Sequence, residues 1–541
     1  MKKKYLLILV GFGFACLNIQ CDSEFIERTP LGTSTVESFY NTEDELVFGI
    51  NGVYQTFQGD WWGGAFVHLQ PHMEGATENG KICCDWEYEV VAIAKGTLNS
   101  TTGGFVLWKW VYGYQAISRI NQLLQVIENG IQGVDNSDLA KWEGELKFLR
   151  GFVYSQLIFH YGDVPLIINP LTPVEAAQLT RDPKEDVLNQ VISDFNFAIA
   201  NLETTPNRGE FGRPTKQAAY AFLGKTYLYN DRWSEAQAAF QEVLNLEGGA
   251  VSLDPDFESL FRGKNEQSLE ILFSVQYVGQ GQVGAGSGEG SFIQTHYAIG
   301  NNPDGLGSGW QSLLHTDKMR DAFYMIDGLP IDQSPLYDTD SVFLRRDPRL
   351  GMTFQVPGYK IVGSEVVPYS TFRGFPVEES WIVNQGNPVS SIPGAAGMGT
   401  KKWVTEFDET SFSDDFSQDL ILMRYADVLL MYAEARNENT GPDAQVYNAV
   451  NKVRTRAGMP SFPTALSKDE MREEIRHERN VELAVEGIRY SDLIRWRIAE
   501  TVIPSIPYIV NRSFDPSKNY LWPIPQSTID TNPNIMQNPN Y

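Results

Sequence analysis

The amino-acid sequence predicts a mostly α-helical protein, built as a scaffold of stacked helix pairs with a loop-rich insertion that contains minor β structure. Two observations favour this fold class. Helical periodicity recurs in the first half of the chain and again towards its end, whereas residues from about 269 to 416 change to a short strand and glycine-rich loops. One helix pair also has the spacing of a tetratricopeptide repeat.

The tetratricopeptide-like unit lies around position 230. The residues that carry its spacing are Tyr220, Leu223, Gly224, Tyr227, Ala236 and Phe240. We expect the small Gly224 and Ala236 to let two antiparallel helices approach closely, with Tyr227 and Phe240 filling the space between them. Since such pairs bury a continuous core by stacking, the unit predicts further helix pairs.

Other helices are predicted on both sides of the insertion. The stretches with helical periodicity are Leu107–Glu128, Leu139–Tyr161, Glu185–Leu202, Ile421–Arg436, Ala444–Arg456 and Lys468–Leu493. They place a helical scaffold at about 37–268 and 417–498. The insertion, at about 269–416, begins with the apolar run 269–275, which predicts a strand.

The N-terminus has the features of a lipoprotein signal peptide over residues 1–20. Three lysines precede an apolar run that ends at Leu17, and this run is too short for a membrane helix, which needs about 20 apolar residues. The segment resembles the bacterial lipobox, although Gln20 replaces the usual Gly or Ala. We predict cleavage before Cys21 and lipid attachment to it, with Cys16 as the competing position.

The formal net charge of −25 excludes nucleic acid as an expected partner. A field of this sign repels phosphate polyanions and anionic lipid headgroups. Any association with a membrane is therefore expected to come from a lipid anchor or from a protein partner.

Sequence blocks near both ends and in the middle of the chain resemble the SusD/RagB family. The blocks are 25–31, 37–46, 51–54, 323–328, 346–350, 424–430, 453–458, 478–496, 522–526, 532–533 and 537–541, and they include Arg424-Tyr425-Ala426-Asp427 and Trp522-Pro523-Ile524-Pro525. The resemblance spans nearly the whole chain after the leader. It implies a single SusD-like domain over 21–541.

The resemblance also implies a function. Such a protein is expected to be anchored by lipid to the cell outer membrane on its extracellular side, to bind a glycan, and to deliver it to a SusC-like TonB-dependent transporter. It is expected to be a binding protein and not an enzyme. Two alternatives stay open: a binding protein for peptide uptake, and a helical-repeat scaffold for contacts between proteins.

Aromatic residues in polar segments are the predicted ligand contacts. Sugar rings present C–H faces that stack on aromatic side chains, while their hydroxyls need amides or charged groups nearby. The predicted contacts are Trp61, Trp62, Trp86 and Tyr88 in one region and Tyr297, Asn301 and Trp310 in the glycine-rich insertion. The alternative is that these rings anchor loops to the core.

Other motifs predict neither catalysis nor a cofactor. Glu478, Glu482 and Glu486 share a helix face, which favours a structural ion-pair network over acid–base chemistry. The glycines at 279, 281 and 284 are not followed by a helix, so they do not predict dinucleotide binding. His68 and His72 have metal-ligand spacing but no defined third ligand, and no metal site is predicted.

Overall fold

The computed structural model describes residues 39–58, 64–67, 70–82, 88–278, 291, 293–297, 312–355, 359–362, 365–368, 383–384, 387–388, 398–404, 416–505 and 512–541. Its architecture confirms the predicted fold class, because helices dominate and the strands are short. Buried apolar side chains from Leu46 to Ile535 form one hydrophobic cluster. None of the helices in these residues has the length and apolar content of a helix that crosses a membrane.

The first half of the chain forms a row of helices. They are α1 (Glu43–Gln58), α2 (Tyr88–Lys95), α3 (Gly104–Asn129), α4 (Asn136–Tyr161), α5 (Pro173–Ala176), α6 (Lys184–Asn201), α7 (Lys216–Leu228) and α8 (Trp233–Leu244). Helix α1 packs on α3, α3 on α4, α4 on α6, α6 on α7 and α7 on α8. Residues at helical spacing are buried in these contacts, as Leu146, Leu149 and Val153 are in α4.

The second half continues the row. Its helices are α9 (Ile293–Tyr297), α10 (Asp317–Ala322), α11 (Arg349–Thr353), α12 (Tyr425–Thr440), α13 (Ala444–Arg456), α14 (Lys468–Glu482), α15 (Arg489–Arg495), α16 (Ala499–Val502) and α17 (Gln526–Thr531). Helix α12 packs on α8 and also contacts α13 and α14. The two halves of the predicted scaffold are thereby joined through α8 and α12.

The strands and the 3₁₀ segments are short. The strands are β1 (Gly80–Ile82), β2 (Ile271–Val275), β3 (Leu313–His315), β4 (Phe354–Gln355), β5 (Tyr359–Val362), β6 (Glu365–Pro368), β7 (Val383–Asn384), β8 (Asn387–Pro388), β9 (Gly399–Thr400) and β10 (Leu420–Arg424). The antiparallel pairs among them are β1–β3, β2–β10, β4–β9, β5–β6 and β7–β8. The 3₁₀ segments are Gln70–Ala76, Asn207–Gly209, Ser259–Phe261 and Ile503–Ser505.

The tetratricopeptide-like spacing correctly predicts the pair α7 and α8. Gly224 lies against the ring of Phe240, and a Cβ at position 224 would lie 2.5 Å from Cε1 of that ring. Phe240 is fully buried between the helices, whereas Tyr227 is half-buried. Tyr227 packs against the core but is less buried than the expected role between the two helices predicts.

Two predicted helices differ from the structure. The stretch predicted as one helix from Ile421 begins as strand β10, because pairing with β2 holds it extended until Tyr425 begins α12. The helix predicted from Lys468 to Leu493 ends at Glu482. Val485 and Gly487 then have φ of 63° and 74°, which interrupts the helix before α15. The carbonyl oxygen of Gln70 lies 2.2 Å from where a Cβ of Gly487 would stand, so only glycine fits there.

Candidate functional site

The two predicted aromatic regions are joined by one strand pair. Ile82 at the end of β1 is the register partner of Leu313 at the start of β3. In the chain, Ile82 is followed by the segment that contains Trp86, and Leu313 is preceded by the segment that contains Asn301 and Trp310. The structure thus places one end of each segment at the same point of the fold.

Side-chain hydrogen bonds strengthen this junction. The Oγ1 of Thr316, directly after β3, donates to the carbonyl oxygen of Glu78 at 2.6 Å, and the Thr316 amide donates to the carbonyl oxygen of Asn79 at 3.0 Å. His72 and Tyr297 are joined by a hydrogen bond between Nδ1 and the phenol, with ring centroids 4.9 Å apart. The segment 70–82 and the residues on both sides of 298–311 therefore form one connected base.

Tyr297 is part of this base and not of its surface. Its side chain is 0% exposed, and its ring packs on His72. An aromatic ring must present a face to solvent before a sugar can stack on it. In this structure Tyr297 has the position of a core anchor, the alternative role of the predicted aromatic contacts.

Tyr88 lies at the surface, as expected for a ligand contact. It is the first residue of α2, and its side chain is 51% exposed. Its hydroxyl lies 2.5 Å from where a Cβ of Gly103 would stand, so the absence of a side chain at position 103 makes room for it. Trp61, Trp62, Trp86, Asn301, Trp310 and the predicted lipidation residue Cys21 lie outside the described residues.

The base contains buried charges that the C-terminal region compensates. Burial raises the pKa of Glu74 to about 7, against the hydrogen bond that Asn79 Nδ2 donates to its Oε2 at 2.9 Å. Arg489 Nε donates to Glu78 Oε1 at 2.9 Å, and Arg512 Nη2 donates to the carbonyl oxygen of Gly75 at 3.2 Å. Sequence patterns do not indicate Asn79 or Arg512, because Asn79 also donates to Asn480, 401 positions away, and Arg512 donates to a carbonyl 437 positions away.

No cluster of three or more His, Cys, Asp or Glu side chains suited to a metal occurs in the described part of the chain. His68 lies outside that part, and His72 is committed to Tyr297.

The three glutamates that share a predicted helix face form a buried ion-pair network. Glu478 accepts from Arg349 and Arg454 at 2.6 and 2.9 Å, and Glu486 accepts from Lys402 at 2.6 Å. The pKa of both carboxyls is lowered, because these cations outweigh the effect of burial. Each carboxylate is therefore held ionised by fixed partners, which is the role of a structural group and not of a proton donor.

A cavity lies at the end of the tetratricopeptide-like pair. It has a volume of about 730 Å³ and lies between the start of α7, the loop after α8, and β2. Residues on its wall include Thr205, Phe211, Gln217, Asn245, Gln267 and Gln276. Sequence reasoning did not indicate this cavity, because its wall is assembled from three segments that have no shared motif.

Comparisons with known proteins all match members of one family. The model of the SusD family matches residues 269–541, and a model described as starch-binding associating with outer membrane matches residues 69–228. The SusD-like protein P2 of Formosa agariphila is 27% identical, and the alignment covers 95% of this chain and 96% of that protein.

Solved structures are similar over almost the whole chain. A SusD-like carbohydrate binding protein from Bacteroides fragilis has a TM-score of 0.77 and 26% identity, covering 92% of this chain and 100% of that one. A laminarin binding SusD-like protein has a TM-score of 0.72 and 24% identity, covering 93% of this chain and 100% of that one. The likeness to the second structure supports the fold alone.

Proposed function

This chain belongs to the SusD family, and on that premise we propose that it binds a glycan at the cell surface and delivers it to a TonB-dependent transporter, without cleaving it. The observation that carries the proposal is the pairing of Ile82 with Leu313. This pairing brings together the ends of two segments that are rich in the residue types that bind sugars. The carbohydrate-binding relative from Bacteroides fragilis supports the same ligand class.

The proposed contacts are the aromatic and amide residues on either side of the connected base. Trp61, Trp62, Trp86 and Tyr88 would stack on sugar faces from one segment, and Trp310 from the other, while Asn301 would bind hydroxyls. Tyr297 and His72 would support these contacts from below. A rigid support favours binding, because less conformational freedom is lost when the ligand arrives.

Delivery requires the binding site to stay close to the transporter. We propose that the lipid on Cys21 and a SusC-like partner together hold the protein on the outer membrane, with its ligand site facing the outside. The family description that includes outer-membrane association supports this placement. Tethering raises the effective concentration of captured glycan near the pore without any new contact.

Affinity electrophoresis tests the site against a panel of polysaccharides that includes laminarin and starch. We expect Trp86→Ala and Trp310→Ala each to weaken retention about 3- to 10-fold, the range expected for one aromatic contact. Val174→Ala is the control, because Val174 is 75% exposed and lies on α5. Unchanged affinity in both tryptophan variants would show that the site lies elsewhere.

The same panel separates the proposed function from its competitors. Retention without released sugars supports a binding protein, whereas released oligosaccharides would show an enzyme. Absence of retention on every polysaccharide would contradict glycan binding and favour the peptide or scaffold alternatives. Co-purification of a barrel protein from detergent-solubilised membranes tests the transporter partner, and repeated failure to recover one would contradict delivery.

A further inference from the structure

The cavity at the end of the tetratricopeptide-like pair has the size and wall of a ligand site. We call it the repeat-end cleft, bounded by residues 204–217, 245–250 and 266–276. Its volume of about 730 Å³ falls within the range of about 300–1,000 Å³ that is usual for ligand sites. The cleft is formed by described residues, and none of the predicted aromatic ligand contacts is among them.

Exposed apolar side chains and an amide without a hydrogen bond occur together on the wall of the repeat-end cleft. Phe211 is 53% exposed and Leu269 is 48% exposed, which are high values for side chains of this kind on a cavity wall. Gln267 is also exposed, and its amide makes no hydrogen bond within the described residues. An exposed aromatic ring and an available amide on the wall of one cavity are the residue types that recognise a sugar ring and its hydroxyls.

The charges on the wall indicate a neutral ligand. Arg213 is the one cation among the described wall residues, and its guanidinium donates to Glu145 at 2.8 Å and to Asn51 at 3.0 Å. Glu247 pairs with Lys452, and Glu266 accepts from the amide of Asp419 at 2.9 Å. Since the wall offers no cation that lacks a partner, an acidic or sulfated sugar would find no counter-charge there.

One end of the repeat-end cleft borders the helix that leads to the aromatic segment. Gln276 lies on the wall, and its carbonyl oxygen accepts from Nε2 of Gln58 at 2.5 Å. Gln58 is the last residue of α1, three positions before Trp61 in the chain. A ligand in the cleft would therefore approach the start of the segment that contains Trp61 and Trp62.

We propose that the repeat-end cleft is a second saccharide subsite, which binds a further stretch of the neutral glycan chain that the aromatic segments hold. The inference rests on the proposed function and deepens it, because it assigns the protein a preference for longer chains. Phe211 would stack on a sugar ring, and Gln267 would bind its hydroxyls. A chain that occupies both subsites gains affinity, because its second contact forms intramolecularly.

The test is titration calorimetry with a ladder of neutral oligosaccharides cut from the polysaccharide that the protein retains best. For the Phe211→Ala/Gln267→Ala variant, we expect affinity for the longest chains to fall about 3- to 10-fold, with affinity for the shortest bound chains unchanged. The matched control is Val174→Ala/Gln178→Ala, which also removes one exposed apolar side chain and one exposed amide. This control should bind every chain like the wild type.

Each other outcome overturns the inference in a recognisable way. If the wild type binds glycans and the cleft variant shows the same dependence on chain length, the subsite is wrong and the proposed function stands. If the wild type binds no glycan, both are wrong. If the variant keeps its glycan affinity but no longer co-purifies with a membrane protein, the cleft is a docking surface for protein.

Discussion

Glu482 illustrates how single buried charges are accommodated in this protein. Its side chain is fully buried, and its carboxylate accepts from Arg349 at 2.9 Å, from Arg424 at 2.7 Å and from Arg456. Burial raises the pKa of a carboxyl, but the three guanidinium groups lower that of Glu482 well below its usual value. The ionised form is therefore the one compatible with the fold.

Replacing this charge should be costly. We expect Glu482→Gln to lower the free energy of unfolding by about 3–5 kcal/mol, because the change leaves buried guanidinium groups without their counter-charge. Urea denaturation at neutral pH measures the effect. Glu473→Gln is the control, since Glu473 is 71% exposed and pairs with Arg476 at the surface, where an ion pair contributes about 0–1 kcal/mol.

The pH dependence provides an independent check of the same substitution. Because the folded-state pKa is lowered, the stabilisation by Glu482 is present above the unfolded-state value near 4.5 and is lost as the pH falls through the folded-state value. The difference between wild type and Glu482→Gln should consequently shrink below about pH 4. A difference that stays constant from neutral to acidic pH would contradict the assigned role.

At this scale the sequence indicated the clustered carboxylates but not their partners, and the predicted helix face does not include Glu486, because α14 ends at Glu482. The spacing of Glu478, Glu482 and Glu486 predicts neighbouring carboxylates, and an ion-pair network was expected there. Arg349 and Lys402 come from the insertion, and no periodicity relates them to α14. Likewise, the residue type of Tyr297 and the polar sequence around it predict a ligand contact. In the structure it is buried against His72, which is 225 positions away.

Among the elements, the pair α7 and α8 shows how one glycine sets a helix distance. Gly224 has no side chain to separate the helices, and the ring of Phe240 occupies the space beside it. The closeness of the two helices therefore depends on position 224 as much as on the apolar residues around it.

A methyl group at position 224 should destabilise the pair. We expect Gly224→Ala to lower the free energy of unfolding by about 1–3 kcal/mol through overpacking against Phe240, despite the better helix propensity of alanine. Gly52→Ala in α1 is the matched control, because nothing lies within 4 Å of its added Cβ, and it should stabilise by about 0.5–1 kcal/mol. Thermal and urea unfolding of both variants measure the contrast, and equal effects would exclude the packing explanation.

Element types were predictable wherever local periodicity and packing agree. The helix Ala444–Arg456 has the bounds that the sequence predicts, and the predicted helix from Leu139 to Tyr161 differs only at its start. The stretch before Tyr425 is as apolar as a helix interior, yet pairing with β2 makes it a strand. That pairing joins residues about 150 positions apart, so no local window of the sequence contains it.

For the whole molecule, residues near the C-terminus contact the N-terminal part of the chain that contains the base of the candidate site. Arg489 and Arg512 bind the segment that contains Glu78 and Gly75, and Trp522 stacks on His160 with ring centroids 4.0 Å apart. The division into a signal peptide and a single domain over 21–541 remains a proposal, as does the separation of scaffold from insertion. The base beside the proposed ligand site depends on long-range contacts of this kind, which no local stretch of the sequence contains.

The proposed lipid anchor at Cys21 leads to a prediction about the whole protein. If Cys21 carries the lipid, Cys21→Ser should move the protein from the membrane fraction to the soluble fraction, because no amino-terminal acyl chains would then hold it in the bilayer. Its affinity for glycan in solution should be unchanged, since the tether affects location and not the binding site. Growth on the bound polysaccharide should fall, because capture would no longer take place beside the pore.

Fractionation with metabolic labelling by fatty acid measures the move from the membrane fraction to the soluble fraction, and Cys16→Ser is the control. Labelled, membrane-bound Cys21→Ser protein would assign the lipid to another residue.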